Sequence, residues 1–191
     1  MQIINHFPGY EMVIGEGADG KRKIRNMYRG IDVGMGGYVY AEHGVYSNVA
    51  LLDVASMHPT SLVLMNYFGD RYTPVFKEIL DVRVALEHGE IDRVRTMMGG
   101  RLAKYLDDPK SIKMLVGAIK LALNSQYGLS SSRFDLPQRD VRNVNNIVAL
   151  RGALFIKTLQ DAIVDKGYSV VHCKTDSIKI PNADQAIIDF C

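Results

Sequence analysis

Leu51-Leu52-Asp53-Val54-Ala55-Ser56-Met57-His58-Pro59-Thr60 decides how this chain reads. The apolar run Val49-Ala50-Leu51-Leu52 has the length and character of a buried strand, and a carboxylate stands at its end. Ser56 then begins a turn, and Pro59 has no N–H for a regular helical hydrogen bond. One acid is thereby set at a sheet edge with backbone N–H groups just beyond it. Such an edge can hold a divalent cation on the carboxylate and a phosphate on the amides. An Asp that merely caps a turn is spelled the same way locally, so the choice depends on the rest of the chain.

The 191 residues suffice for one sizeable domain, or for a domain with a lobe inserted in it. The apolar fraction is ordinary for a globular protein, and no run approaches a membrane span. Met1-Gln2-Ile3-Ile4-Asn5 has neither the basic nor the apolar region of a secretory signal. Cys173 and Cys191 form no metal-binding or disulfide spacing, which fits a reducing cytoplasm. A formal net charge of +2 does not by itself demand nucleic acid, so any basic surface must come from how charges are arranged.

Upstream of Asn48 the chain is glycine-rich and reads as irregular. Lys21-Arg22-Lys23-Ile24-Arg25 is a small basic cluster that could touch phosphates, or a solvated loop. Gly34-Met35-Gly36-Gly37 reads as a tight turn feeding a strand, and Glu42-His43-Gly44 as a hairpin turn before a strand from Tyr46 to Leu52. Downstream, a helix is expected over Tyr72–Glu87, with Phe76, Ile79, Leu80 and Leu86 inward and Arg83 on another part of its surface. A second is expected over Ile91–Leu106, broken at Gly99-Gly100. Asp107-Asp108-Pro109 stops that helix and caps the next.

The helix from Lys110 to about Tyr127 is the second informative stretch. Ile112, Leu115, Ile119 and Ala122 recur at helical spacing and point inward, and Gly128 ends the helix. Lys120, Asn124 and Tyr127 stand at i, i+4 and i+7, so an ammonium, an amide and a phenol share another stripe. That trio suits a nucleoside triphosphate, with charge for phosphate and a ring for base or sugar. A solvated Lys, a polar Asn and a core Tyr would produce the same spacing. Ser130 to Asn143 reads as a polar loop carrying Arg133, Arg139 and Arg142, and Val144–Lys166 as a long helix. Tyr168–Cys173 reads as a strand, Lys174-Thr175-Asp176 as a tight turn and Ser177–Ile180 as the return strand. Asp176 is thus a second acid, at a hairpin tip. A last amphipathic helix begins near Asn182.

The three stretches, in this order, resemble motifs A, B and C of the family B DNA polymerases. Asp53-Val54-Ala55-Ser56-Met57-His58-Pro59-Thr60 stands for Asp-x-x-Ser-Leu-Tyr-Pro-Ser, and Lys120-Leu121-Ala122-Leu123-Asn124-Ser125-Gln126-Tyr127-Gly128 matches Lys-x-x-x-Asn-Ser-x-Tyr-Gly throughout. His172-Cys173-Lys174-Thr175-Asp176-Ser177 stands for Tyr-x-Asp-Thr-Asp-Ser, and Gly36-Gly37 for the family's Tyr-x-Gly-Gly element. The resemblance implies an α+β polymerase palm, an antiparallel sheet backed by helices, with an inserted helical fingers subdomain. Residues 1–71 would be the N-terminal part and palm strands, 72–128 the fingers, and 129–191 the palm helix and motif C hairpin, ending before a thumb. The wording of the motifs looks most like a bacteriophage enzyme, which would act in the host cytoplasm.

The chemistry implied is attack of a primer 3′-hydroxyl on the α-phosphate of a deoxynucleoside triphosphate, releasing pyrophosphate. Two Mg²⁺ ions roughly 3.5–4 Å apart, replaceable by Mn²⁺, would serve it. By the resemblance, Asp53, Asp176 and the Val54 carbonyl are the ligands, and Asp53 and Asp176 the catalytic acids. Ser56 and Met57 amides would hold the triphosphate, Lys120 and Arg83 would neutralise it, and His58, Asn124 and Tyr127 would shape the pocket. Gly36, Gly37, Gly128, Lys174 and Thr175 would meet primer–template DNA. No membrane partner is implied. Four departures stand out: His58 replaces the Tyr that crowds a ribose 2′-position, Lys174 replaces the first motif C acid, Glu87 stands one turn beyond Arg83 where the family often has Lys, and Gly34 replaces the Tyr of the glycine element. With no room read for an exonuclease domain or a thumb, those segments would be supplied elsewhere. The alternative is a non-catalytic DNA- or nucleotide-binding fragment or split subunit of such a polymerase.

Overall fold

Strand formation in the opening stretch stops at Asp53 itself. The computed structural model of the chain describes residues 6–17, 19–132 and 146–191. In chain order the elements are β1 (Tyr10–Glu16), β2 (Arg22–Tyr28), β3 (Ile31–Asp32), β4 (Val39–Ala41) and β5 (Val49–Asp53). Next come α1 (Met57–Leu64), α2 (Gly69–Glu87), α3 (Ile91–Thr96), two 3₁₀ turns (Met97–Gly100 and Ala103–Tyr105) and α4 (Pro109–Ser131). The chain closes with α5 (Ile147–Asp165), β6 (His172–Lys174), β7 (Ser177–Pro181) and α6 (Gln185–Phe190). The fold is α+β with two antiparallel sheets, ordered β1-β2-β3 and β4-β6-β7-β5. Arg133, Arg139, Arg142 and the expected helix start at Val144 lie outside the described residues. No described helix is long and apolar enough to cross a membrane.

The chain divides into two compact units, Met1–Met57 with Asn143–Cys191, and His58–Arg142. In the first, the four-stranded sheet buries Cys173, Ile178 and Ile180 on the side of α5, whose Leu154 and Ile156 are also fully buried. Each such side chain contributes about 1.5–3 kcal/mol of transfer free energy. The opposite face carries Val39, Leu51 and Asp53, all exposed. The N-terminal region, expected to be irregular, is instead the β1-β2-β3 meander, and Lys21–Arg25 enters strand β2 rather than a loop. Tyr10, Met12 and Ile14 alternate with Glu11, Val13 and Gly15, a period of two that the glycines obscure. The meander is fastened to α5 by Tyr28 Oη with Thr158 Oγ1 (3.0 Å) and by the Arg29–Asp161 ion pair (2.8 Å).

A second correction concerns Glu42-His43-Gly44, which makes no hairpin. β4 pairs with β6 and β5 with β7, so this segment crosses between opposite edges of the sheet while the β6–β7 hairpin fills the middle. Strand β5 accordingly starts at Val49, not Tyr46, and β6 is confined to His172–Lys174.

In the second unit, Val82, Ala85, Leu86, Val94 and Leu106 form a buried cluster against which Ile112, Leu115 and Ile119 of α4 pack. The expected inward Ala122 is exposed, and Leu123 is buried in its place. Gly99 and Met98 take positive φ (65° and 51°), which ends α3 well short of Leu106. Gly128 does not end α4, which runs on to Ser131. A helix-interior glycine lowers helix preference without breaking the hydrogen-bond ladder.

Asp108 caps α4 as expected: its carboxylate accepts from the Ser111 N–H (2.9 Å) and hydroxyl (3.0 Å), and these bonds hold its pKa below the ordinary carboxylate value. A lowered folded-state pKa gives stability that is present above the unfolded value and lost as pH falls through the folded one. Asp108→Ala is therefore expected to lower the melting temperature at neutral pH by about 2–4 °C. The gap should begin to narrow as pH falls below about 4 and close once pH passes the lowered folded-state value of Asp108, and thermal melts across that range check it.

Candidate functional site

The β5 and β7 ladder brings the two acids of interest to one end of one sheet. Asp53 lies directly opposite Ser177, and the Val54 N–H donates to the Asp176 carbonyl across 2.8 Å. Asp53 is exposed and Asp176 half-buried. Asp176 leaves a tight turn: its N–H donates to the Lys174 carbonyl (2.7 Å), with Thr175 between them at φ 56°. An i→i+2 bond around a positive φ is the rarer, strained γ-turn, and a β-branched residue resists it further. Two contacts hold it. The Thr175 N–H donates to the Tyr38 carbonyl (3.0 Å), and Gly37 lies so close that a Cβ there would meet Thr175 Oγ1 at 3.1 Å. The Gly36-Gly37 element thus buttresses the turn that presents Asp176.

Cross-strand neighbours share a face, so Asp53, Ser177, Lys174 and Val39 form one row across β5, β7, β6 and β4. Lys174 is exposed on that row, two strand spacings or about 10 Å from Asp53 at the backbone. That is about one Debye length at 0.1 M salt, so its charge is only partly screened from the Asp53 site. The next row contains Leu51, Lys179, His172 and Ala41 and borders a cavity of about 350 Å³ with Tyr46 and Val49. His172 Nδ1 is buried there with no hydrogen-bond partner among the described residues. Lys179 and this cavity were not anticipated. The signal was the alternation His172, Lys174, Ser177, Lys179, whose outward residues are all polar.

At the start of α1, Ser56 takes φ 56° and Met57 turns into the core, only 5% exposed. Gly152 of α5 makes room for it: a Cβ at that position would sit 2.7 Å from Met57 Cε. Pro59 falls in the first turn of α1, where its missing N–H is not needed. In the second unit His58 stacks on Tyr127, with centroids 4.2 Å apart and planes inclined by 17°. Lys120 and Asn124 are exposed on the same helix. Gly128 is exposed there too.

Arg83 departs from expectation. It is 7% exposed, because Thr73, Phe76, Leu80 and Arg83 follow one another at helical spacing on the buried stripe of α2. Its guanidinium engages Glu87 at 3.1 Å through both Nε and Nη2. It is not an outward-reaching cation.

No protein-family model and no curated protein sequence matches the chain. Solved structures do. The family B DNA polymerase from the hyperthermophilic archaeon Pyrobaculum calidifontis aligns with a TM-score of 0.52 at 16% identity, over 96% of this chain and 24% of that one. The fold resembles part of a family B DNA polymerase. The chain spans about a quarter of that protein's length.

The donor set suits a hard divalent cation. Among the described residues no three His, Cys, Asp or Glu side chains cluster as a metal site. Mg²⁺, where it binds, is held by one or two carboxylates and completes its octahedron with waters and phosphates. Asp53, Asp176 and the Val54 carbonyl carry oxygen donors, the class such an ion takes.

Proposed function

We propose that this chain is the core of a template-directed DNA polymerase that adds deoxynucleotides to a primer 3′-end. The observation that carries the reading is the meeting of Asp53 and Asp176 at one sheet end, beside an exposed face. The fold likeness to a family B DNA polymerase supports it. In this reading the sheet is a palm and the helices between its halves are fingers. Two Mg²⁺ ions, or Mn²⁺ in their place, would be held by Asp53, Asp176 and the Val54 carbonyl, and when bound would activate the primer hydroxyl and neutralise the leaving pyrophosphate.

The remaining work falls to the chain's own groups. The positive φ at Ser56 frees the following amides from the strand ladder to donate to a triphosphate. In the second unit Lys120 and Asn124 are exposed on α4 and His58 stacks on Tyr127, groups whose charge and flat rings would suit a phosphate and a nucleoside. Lys174, Lys179 and His172 offer positive or donor groups on the face where primer–template would lie. Deoxynucleotide binding tests the arrangement directly. Mg²⁺-dependent dATP binding by wild type is expected to weaken more than about tenfold in Asp176→Asn, a loss that even an outer-shell metal partner can carry. Metal-independent binding, or equal binding by the variant, would remove the support for a shared site.

A second reading is a non-catalytic DNA- or nucleotide-binding fragment of such a polymerase. Lys174 in the row of Asp53 favours it. It predicts salt-sensitive DNA binding with no incorporation at any enzyme concentration.

A further inference from the structure

The β1–β2 ribbon takes no part in the chemistry above, yet its register sorts its charges. Val13 lies opposite Arg25, Gly15 opposite Lys23, and the Gly17 N–H donates to the Lys21 carbonyl (2.7 Å). Odd-numbered residues therefore share one face, with Lys23 and Arg25 on β2 and Gly15 and Val13 on β1, and Lys21 and Gly17 continue the two edges one residue beyond the strands. On a helix the same cations would spread around the axis; the strand aligns them. No carboxylate stands directly across from Lys23 or Arg25, whereas Asp19 Oδ1 sits over Gly17, 2.8 Å from where a Cβ there would be. Glu11 pairs with Met27 farther down, Glu16 faces Arg22 on the even side, and Asp19 in the turn lies 3.7 Å from Lys21. All three cations are exposed, and a Cβ added at Gly15 would meet nothing within 4 Å, so the floor beside Lys23 is open.

From Lys21 to Arg25 the stripe covers about 14 Å. One strand of a DNA duplex carries about four phosphates in that length. We propose that the odd-numbered face of this ribbon is a docking surface for the sugar–phosphate backbone of duplex DNA, with Lys21, Lys23 and Arg25 as its phosphate contacts. This deepens the polymerase reading and rests on its claim that DNA is the partner. The docking itself carries no sequence information, since phosphate contacts position a protein without reading bases.

Fluorescence anisotropy of a labelled duplex, measured between about 50 and 200 mM salt, tests it. Replacing Lys21, Lys23 and Arg25 together by Ala is expected to reduce the slope of log K against log salt by about 2–3, at about 0.9 per phosphate contact. Lys23→Gln alone should remove about one. Arg22→Ala, on the other face, should leave the slope near wild type. An unchanged slope in the triple variant overturns the proposal, as does an equal loss in Arg22→Ala. Binding of phosphatidylserine vesicles through the same three cations, without duplex binding, also overturns it. Asp53→Ala separates the two readings, because it should keep the salt slope while abolishing incorporation. A slope that depends on the ribbon in a chain that never incorporates would retain the docking surface and sink the polymerase.

Discussion

Asp53→Ala is expected to abolish primer extension while leaving the protein folded. Asp53 stands at the exposed end of β5, so its side chain adds little to the core, and surface changes of this kind usually stay within about 0.5 kcal/mol. Its role in the proposed site is of another size. A metal ion at a reacting phosphoryl group is worth several kcal/mol of transition-state stabilisation. Losing one of two carboxylates should therefore slow incorporation by at least about 10³-fold. The measurement is single-turnover extension of a primer–template with Mg²⁺, beside a thermal melt of the same variant. Extension undiminished in Asp53→Ala would sink the two-metal reading. Salt-sensitive duplex binding by wild type with no extension would instead select the binding fragment.

The placement of Asp53 at a strand end and of Asp176 in a hairpin turn could be read before the fold was known, for a physical reason. Asp53 and Asp176 each sit where a short apolar strand meets a turn, and that signal is local in sequence. What the sequence hid was non-local. The segment after β4 looks like a hairpin because Glu42-His43-Gly44 has turn chemistry, yet the neighbour of β4 is β6, some 130 residues on. Pairing partners across a sheet leave no mark within a window of ten residues. Arg83 was misplaced by a different route. A charged residue was assigned outward by type, although its spacing from Phe76 and Leu80 placed it on the buried stripe, where Glu87 compensates it. Gly128 shows that a glycine marks a helix end only when the backbone needs positive φ there. The meander was missed because its glycines and charges mask a period of two. Recovering that period turned an unremarkable basic cluster into an aligned row.

Gly37→Val should then damage the site from a distance, more than its place in a loop suggests. Gly37 holds φ 136°, a region open to glycine and strained for any residue with a Cβ. There is also no room: the added atom would meet Thr175 Oγ1 at 3.1 Å, Cγ2 at 3.2 Å and Cα at 3.3 Å. The Cα is backbone of the γ-turn that presents Asp176, so relief requires moving that turn and stretching the Tyr38–Thr175 hydrogen bond. Backbone strain at such a position costs about 1–3 kcal/mol, which for a chain of this length lowers the melting temperature by roughly 2–12 °C. Extension should fall further than the fraction unfolded accounts for, because a displacement of about 1 Å at a reacting group can cost 10²-fold. Gly36→Ala is the matched control. Its φ is not positive and its Cβ would meet nothing within 4 Å, so it should melt like wild type. If Gly37→Val also melts within a degree of wild type and extends at its rate, the glycine element does not support the Asp176 turn.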